Sequence, residues 1–397
     1  MLNEEIIVKI IDVDNKGNGI ARVNNMVIFV KGALKDETVN IKITSIKKHY
    51  MTGSIIKIKT TSKDRIKVKC PYFNKCGGCK FLHTTLSNEQ KIKENFIKNL
   101  FKKYKVKIID IDYEYNYRNK VTLHIKNGKL GFYTEKTNDL IEIDNCLLLD
   151  NNINKVISKL KDYNLLNIKE IVIKSTYFTK ELMIIIKGNL NDKDLKDIQK
   201  INNLKSLYLN NKLIYGALYL TEEINGIKYT IYPDAFFQVN TKGMILLYEE
   251  IKRYAGKANT LLDLYSGTGT IGIYLKDNFK KITGIEINKK SINNANINKK
   301  LNKIDNINFI CADSSSKSDN YDCLVVDPPR VGLSKKVISN IIKGDYKKVI
   351  YVSCNPLTLK RDLDYLKEQY EVKEISMLNM FVKTEHMECI CLLENKS

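Results

Sequence analysis

Cys354 stands in the run Ser353-Cys354-Asn355-Pro356, between the apolar stretch Val349–Val352 and a segment from Leu357 to Leu363 that reads as a helix. Asn is a good helix N-cap and Pro suits the first helical position. The thiol is therefore expected where a strand's carboxyl end meets a helix's amino end. Exposed amides and the helix dipole favour a thiolate there, which predicts a lowered thiol pKa and a nucleophile. A covalent adduct must also be undone, and that requires a base. Thr384-Glu385-His386-Met387-Glu388 leads into an apolar strand near the carboxyl end of the chain. Glu388, at the strand's start, is the candidate, partly desolvated with a raised pKa. Glu385 and His386 compete with it on sequence alone. Cys389 and Cys391 alternate with Ile390 and Leu392 and read as buried strand residues.

A second constellation lies upstream. Leu262-Asp263-Leu264-Tyr265-Ser266-Gly267-Thr268-Gly269-Thr270-Ile271-Gly272 is a strand entering a glycine turn and then a helix. Gly267 and Gly269 let backbone approach a ligand where a side chain would block it. Glu286 ends the next strand, where its carboxylate can accept the ribose hydroxyls of an adenosine. By itself this pattern also describes a dinucleotide enzyme. Asp327-Pro328-Pro329-Arg330, after the apolar run Leu324–Val326, separates the two, because it resembles the catalytic loop of methyltransferases and a dehydrogenase has no reason to carry it. Arg330 stands where enzymes that methylate base amino groups place an aromatic residue and cytosine-5 RNA enzymes a cysteine. That returns the chemistry to Cys354. Carbon 5 of uracil is too weak a nucleophile to attack a methylsulfonium unaided. Thiolate addition at carbon 6 converts the ring to an enolate with charge at carbon 5, dividing one hard step into easier ones. A base such as Glu388 would then remove the carbon 5 proton and release the cysteine.

A third constellation is Cys70-Pro71-Tyr72-Phe73-Asn74-Lys75-Cys76-Gly77-Gly78-Cys79, three thiols in one tight loop. Three ligands leave a tetrahedral or cubane site incomplete, so a distant fourth is required, and Cys146 is the candidate in the middle region. Zinc and a four-iron cluster both fit thiolate ligation on this spacing.

The elements that must position these groups follow from periodicity. Up to about residue 60 the chain reads as short strands, Glu5–Val13, Ile20–Val23, Met26–Val30, Thr38–Ile46 and Ser54–Lys59, suggesting a five-stranded barrel of the oligonucleotide-binding kind. Ser87 is expected to open a helix whose stripe Ile92, Phe96, Leu100 and Phe101 faces a core. Strands dominate from about 105 to 235. From about 240 strands and helices alternate, which predicts an α/β domain with a parallel sheet covered on both faces and ligands at the strands' carboxyl ends.

Lys and Arg number 66 against 45 Asp and Glu, a net charge of +21. This points to a polyanionic partner, with nucleic acid ahead of an anionic membrane. Lys42, Lys47, Lys48, Lys57, Lys59, Lys63, Arg65, Lys67 and Lys69 crowd the barrel's exit around Tyr50, a possible stacking group. The acidic start is unlike a signal peptide, and no stretch nears the roughly 18 apolar residues of a membrane span. A cytoplasmic protein is expected, with its nine cysteines free of disulfides. Oligomeric state is not legible.

Gln238 in Phe236-Phe237-Gln238-Val239-Asn240, the glycine loop, Asp-Pro-Pro-Arg, Ser-Cys-Asn-Pro and His-Met-Glu together resemble the RNA uracil-5-methyltransferases, in order through essentially the whole chain. The resemblance implies a Rossmann-like S-adenosylmethionine-dependent catalytic domain, with Cys354 as nucleophile and Glu388 as proton acceptor. It places Gln238, Tyr265, Glu286 and Asp327 at the cofactor. It implies a TRAM domain, an OB-like RNA-binding β-barrel, over residues 1–60, and a central iron–sulfur domain over 61–81 and 105–237. The catalytic domain would then take 82–104 and 238–397. The family's ribosomal-RNA branch carries a four-iron cluster on this cysteine pattern, which favours iron–sulfur over zinc and 23S rRNA as substrate. A transfer RNA enzyme of the same chemistry is the alternative, and an inactive RNA-binding iron–sulfur protein a remoter one. Ser266 stands where relatives often have cysteine, and Leu82 departs from a frequent glutamine.

Overall fold

Alternation of apolar and polar residues folds the first 60 positions into a six-stranded curled sheet, ordered Glu5–Lys9, Thr38–Ile46, Tyr50–Thr60, Met26–Lys31, Asn18–Val23, Asp12–Val13. In this computed structural model residues 2–135, 137–316 and 321–396 are described. One strand more than expected arises because the predicted strand from Glu5 breaks at Ile10. There Ile10 N turns to Glu37 O at 2.8 Å, and Ile11 N bonds Ile20 O at 2.8 Å. Val8, Ile10, Ile28, Val30, Val39, Ile41 and Met51 fill the inside of the curl, the alternate positions that a pleated strand sends to one face.

The chain divides into two compact units. The first comprises residues 1–100, 134–137 and 381–387, and the second comprises 101–133, 138–380 and 388–397. The second unit holds two large sheets. Its seven-stranded sheet spans residues 120–216 and contains one parallel pair, Leu182–Gly188 with Leu204–Leu209, bridged by the helix Asp192–Ile198. Its eight-stranded sheet runs Ile307–Cys311, Phe279–Glu286, Ala258–Leu264, Cys323–Val326, Lys348–Ser353, Glu388–Asn395, Tyr370–Leu378, Val106–Ile109. The first five of these are parallel, as their apolar runs predict. Glu388–Asn395 then enters antiparallel between Lys348–Ser353 and Tyr370–Leu378. The edge strand Val106–Ile109 lies beyond the expected boundary at residue 105. It pairs with Tyr370–Leu378, joining the catalytic sheet instead of the central region. Among the described residues, no helix is long and apolar enough to cross a membrane.

The helix Leu86–Leu100 departs from its expected form. It belongs with the first unit instead of the catalytic residues. It begins one residue early, with Thr85 Oγ1 accepting from Asn88 N at 3.3 Å. Its buried face is Glu89, Lys93 and Ile97, whereas Ile92, Phe96 and Leu100 are only half-buried. The cause is electrostatic. The Glu89 carboxylate accepts from Lys93 Nζ at 2.8 Å and from Lys383 N at 2.9 Å, and Lys383 Nζ donates to Thr84 O at 2.9 Å. Glu89, Lys93 and Lys383 are all fully buried. Burial pulls the Lys93 ammonium down in pKa, against the pull of Glu89. A charge taken out of water must be paired, so this cluster, and not the apolar stripe, sets which face turns inward. Glu89→Ala leaves two ammonium groups buried without their carboxylate and is expected to cost about 3–5 kcal/mol. Glu94→Ala, which breaks the exposed pair with Lys98, should cost at most about 0.5 kcal/mol. Chemical denaturation of both variants measures the difference.

Candidate active site

Strand register assembles the candidate residues. Leu264 lies beside Ile285 on one side and Val326 on the other, so Glu286, Tyr265 and Asp327 leave three adjacent strand ends. Val326 pairs with Tyr351, which puts the end of Lys348–Ser353 next in line. Ser353 is opposite Cys389 in the antiparallel pair, so one further step sets Cys354 against Glu388. Three strand spacings separate the strand ending in Glu286 from the one leading to Cys354, about 14 Å at the usual ~4.8 Å each.

The glycine loop is shaped for a ligand. Tyr265 has φ 63° and Gly267 φ 53°, both left-handed, and a Cβ built on Gly267 meets nothing within 4 Å. Gly269 acts differently: a Cβ there would lie 2.4 Å from Phe309 Cζ, so this glycine serves close packing of the loop on the sheet. Glu286 accepts from Gly267 N at 3.2 Å and Asn288 N at 2.8 Å, which fixes its carboxylate at the loop's rim. Tyr265 is half-buried, and burial raises its hydroxyl in pKa, with the Ser314 side chain opposing. Gln238 is half-buried, in the loop ahead of the helix Thr241–Ala255, and its carbonyl accepts from Asn119 Nδ2 at 3.1 Å. Asn240 caps that helix through Gly243 N at 3.0 Å and donates to Tyr113 Oη at 2.8 Å.

Burial and mutual repulsion set the electrostatics. Desolvation pushes Asp327 up to about 7. Asp263 is fully buried beneath the glycine loop. Its Oδ2 accepts from Gly272 N at 3.2 Å while Oδ1 has no partner among the described residues, and burial with the nearby Asp327 and Glu286 charges raises it to about 8. Burial and Asp327 hold Glu388 well above the usual carboxylate range, with Arg330 opposing. Buried carboxyls at neighbouring strand ends gain from a cation placed beside them, and a methylsulfonium is one.

Cys354 lies at the strand-to-helix junction as expected. Asn355 is the N-cap, accepting from Leu357 N at 3.2 Å, and Pro356 opens the helix Pro356–Leu366. The thiol pKa, however, is raised to about 11 and not lowered. Desolvation is the largest cause, followed by Glu388 and, less strongly, Asp327. The terminal amides are also engaged elsewhere, with Leu357 N on Asn355 and Asn355 N on Ser353 Oγ at 3.2 Å. The charge of Arg330 opposes burial and the two carboxyls and favours the thiolate.

Arg330 was legible in the sequence only as a departure from other methyltransferases. Its backbone is stapled to the cysteine's helix, since its carbonyl accepts from Asn355 Nδ2 at 3.1 Å and Thr358 Oγ1 at 3.3 Å. Arg361 Nη2 donates to Val331 O at 2.9 Å. Buried Asp362 accepts from Leu333 N at 2.8 Å and Tyr351 Oη at 2.6 Å. Gly332, at φ 77°, permits this approach, because a Cβ would sit 2.6 Å from Asp362 Oδ2. Asp263 is the other residue the sequence reading passed over, although an acid ending an apolar strand before the glycines was its signal.

The four cysteines expected to bind a metal are all half-buried, and none is in a disulfide among the described residues. Cys70, Cys76 and Cys79 lie in the first unit and Cys146 in the second. Within the loop, Cys76 N bonds Tyr72 O at 2.8 Å and Gly78 N bonds Cys76 Sγ at 3.5 Å. Burial raises the Cys70 thiol, and the neighbouring Cys76 raises it further, so these two sulfurs share a neighbourhood. Cys146 is anchored by Asn154, whose Oδ1 accepts from Cys146 N at 2.9 Å. An all-thiol donor set suits zinc or iron–sulfur chemistry. Among the described residues, no group of three or more His, Cys, Asp or Glu side chains is assembled to hold a metal ion.

Comparison with known proteins places these features in a family. Residues 85–318 and 312–396 match the model of the tRNA (uracil-5-)-methyltransferases, and residues 1–56 match the TRAM domain. An uncharacterized RNA methyltransferase of Clostridium acetobutylicum is 32% identical, covering 99% of this chain and 97% of its own length. One of Clostridium tetani is also 32% identical, covering 95% and 94%. The crystal structure of Pyrococcus abyssi tRNA (uracil-54, C5)-methyltransferase with S-adenosyl-L-homocysteine has the same fold. Its TM-score is 0.84 at 23% identity, over 98% of this chain and 100% of that one. The chain therefore belongs to the tRNA (uracil-5-)-methyltransferase family, S-adenosylmethionine-dependent RNA uracil-5-methyltransferases, and carries a TRAM domain at its amino end.

Proposed function

We propose that this protein methylates carbon 5 of a uridine in 23S rRNA through a covalent adduct of Cys354 with carbon 6. The observation that carries the reading is the register that sets Cys354 against Glu388. S-adenosylmethionine, when bound, supplies an electrophilic methyl group on a sulfonium. Gln238, Tyr265, Glu286 and Asp327 would hold it, with Gly267 giving the room and Gly269 the packing behind the loop. The target base must leave its stack for carbon 6 to reach the sulfur. Arg330 favours loss of the Cys354 proton, and the thiolate then bonds to carbon 6, moving the ring's electron pair to carbon 5. Once carbon 5 carries the methyl group, Glu388 removes its remaining proton. The electrons return to the ring as the sulfur–carbon bond breaks. A buried carboxylate of raised pKa is the stronger base for that step.

Transfer RNA is the second reading, because the Pyrococcus abyssi enzyme is by title a tRNA enzyme and has the same fold over 98% of this chain. A domain layout shared over that length does not separate the substrates. We also propose that Cys70, Cys76, Cys79 and Cys146 hold a four-iron cluster in a structural role, zinc being the alternative, since methyl transfer needs no electrons. The donor set supports this, as does the resemblance to the ribosomal-RNA branch. The cytoplasm is the expected location.

Labelled methyl transfer from S-adenosylmethionine to unmodified 23S rRNA and to tRNA tests substrate and chemistry together. Label in 5-methyluridine of rRNA is expected, and label in tRNA alone would transfer the protein to the second reading. Cys354→Ala should abolish transfer. Glu388→Gln should instead leave methylated RNA bound to the protein through denaturing electrophoresis. Full activity of Cys354→Ala would overturn the covalent route.

Asp327 gives a pH prediction. Its carboxyl loses its proton near pH 7, and only the ionised form attracts a sulfonium. Affinity for S-adenosylmethionine should therefore be full above that pH and fall by up to about tenfold per unit below it. Asp327→Asn should bind weakly with a flat profile, as calorimetry at several pH values would record.

For the cysteines, anaerobically purified protein is expected to hold about four iron atoms and as many labile sulfides. One zinc would establish the alternative, and four titratable thiols without metal would remove both.

A further inference from the structure

The hairpin between strands Ile168–Ser175 and Leu182–Gly188 has a turn held far more firmly than its exposure requires. Thr176 N bonds Glu181 O at 3.0 Å, and Glu181 N returns to Thr176 Oγ1 at 2.8 Å. Thr179 Oγ1 donates to Thr221 O at 2.6 Å, and Thr221 N to Glu181 Oε2 at 2.7 Å. Beneath the turn lies Glu222, fully buried, its carboxylate accepting from Tyr177 N and from Phe178 N at 2.9 Å. Taking a carboxylate out of water to hold two consecutive amides is a costly way to fix a loop. Lys180 adds a left-handed residue with φ 61°, a conformation that side chains other than glycine resist. Strain and buried charge of this kind persist only where surrounding contacts over-determine them, and they gather at functional sites.

This rigidity presents an aromatic pair and two cations. Phe178 is 49% exposed, and its ring meets that of Tyr177 edge-on at 4.9 Å and 90°. Lys180 Nζ lies 4.7 Å from the Tyr177 ring centroid. Lys242 Nζ lies 6.0 Å from the same ring and 5.8 Å from that of Tyr113. Neither ammonium is in an ion pair among the described residues. Lys242 belongs to the first turn of the helix Thr241–Ala255, directly after the loop that carries Gln238. The Glu222 carboxylate that holds the hairpin also accepts from Thr241 Oγ1 at 3.5 Å, so one buried group ties the turn to that helix.

We propose that this turn is a second RNA-binding site, where a single-stranded stretch of the substrate away from the target uridine stacks a base on Phe178 and sets its phosphates against Lys180 and Lys242. The inference rests on RNA being the substrate. Every base has a π-face, so such a platform accepts sequence broadly while fixing position, and cations flanking the ring select a polyanion over an apolar protein partner. A turn fixed in advance also loses little freedom on binding.

The test is equilibrium binding of whichever RNA the enzyme methylates, with Phe178→Ala, Phe178→Tyr, Lys180→Gln and Lys242→Gln, alongside steady-state kinetics. Phe178→Ala should weaken RNA binding about 5- to 150-fold. It should raise KM for RNA and leave kcat and S-adenosylmethionine affinity unchanged, while Phe178→Tyr restores binding. Each lysine variant should flatten the salt dependence of binding by about 0.7 in log–log slope. Wild-type RNA affinity and salt slope in Phe178→Ala and Lys180→Gln, in preparations where the wild type methylates RNA, would overturn the platform and leave the methyltransferase reading intact. Absence of wild-type transfer to any RNA would instead remove the reading beneath it.

Discussion

Carboxyls of Glu286, Asp327 and Glu388 leave neighbouring strand ends, with Asp263 buried below them and the Arg330 charge opposing the rise of Glu388. Burial raises Asp327 to about 7, and burial with the Asp327 and Glu286 charges raises Asp263 to about 8. An arrangement so short of positive charge stabilises nothing in the fold by itself, since removing buried carboxylates from water costs more than their few hydrogen bonds return. In the proposed function a cationic ligand completes it. The same shortage governs the thiol. Glu388 and Asp327 add to burial in raising the Cys354 thiol to about 11, with the Arg330 charge opposing. On the proposed covalent route, binding of a cation and activation of the thiol become one electrostatic event.

The antiparallel strand Glu388–Asn395 makes that arrangement possible. Had the sheet continued in parallel, the residue beside Cys354 would have been another carboxyl-terminal strand end, reached only after a crossover helix. By reversing direction the chain brings an amino-terminal residue, Glu388, to the same edge of the sheet as the carboxyl-terminal Cys354. The position of Cys354 is then fixed from the other side. Asn355, Thr358, Arg361 and Asp362, all on or beside one helix, hold the backbone of residues 330–333. The loop bearing Asp327 and Arg330 therefore cannot shift independently of Cys354. Positioning within a few tenths of an ångström is what catalysis by orientation requires.

Much of this was legible in the amino-acid order, and the failures share a cause. Helices Lys289–Leu301 and Lys335–Lys343 and the strand–loop–helix junctions at Gly267 and Asn355 follow from local rules of apolar period, caps and glycines. These rules act over one or two turns and suffice where the element buries an apolar face. They failed on Leu86–Leu100, where the charges of Glu89 and Lys93 went inward because Lys383, remote in sequence, supplies a partner. They failed at Val106–Ile109, whose partner strand begins at Tyr370. Motif spacing named the members of the candidate site but not its electrostatics. A helix amino end taken alone predicts an acidic thiol, yet here the capping side chains occupy the amides and two carboxyls arrive from other strands. Long-range pairing of charge is invisible to any local window.

The same distinction separates the two ways this chain meets a polyanion. The excess of lysine is diffuse, and a net charge of +21 attracts RNA from any direction without choosing a register. Choice requires groups that do not move. The catalytic unit provides them where buried carboxylates are used as scaffolding: Asp362 beneath the Arg330 loop and Glu222 beneath the Tyr177–Phe178 turn. Asp362 accepts from Leu333 N, and Glu222 from Tyr177 N and Phe178 N, so each buried acid ties down the loop above it. Diffuse charge sets how quickly RNA arrives, and these two buried acids set how few ways it can be held once there.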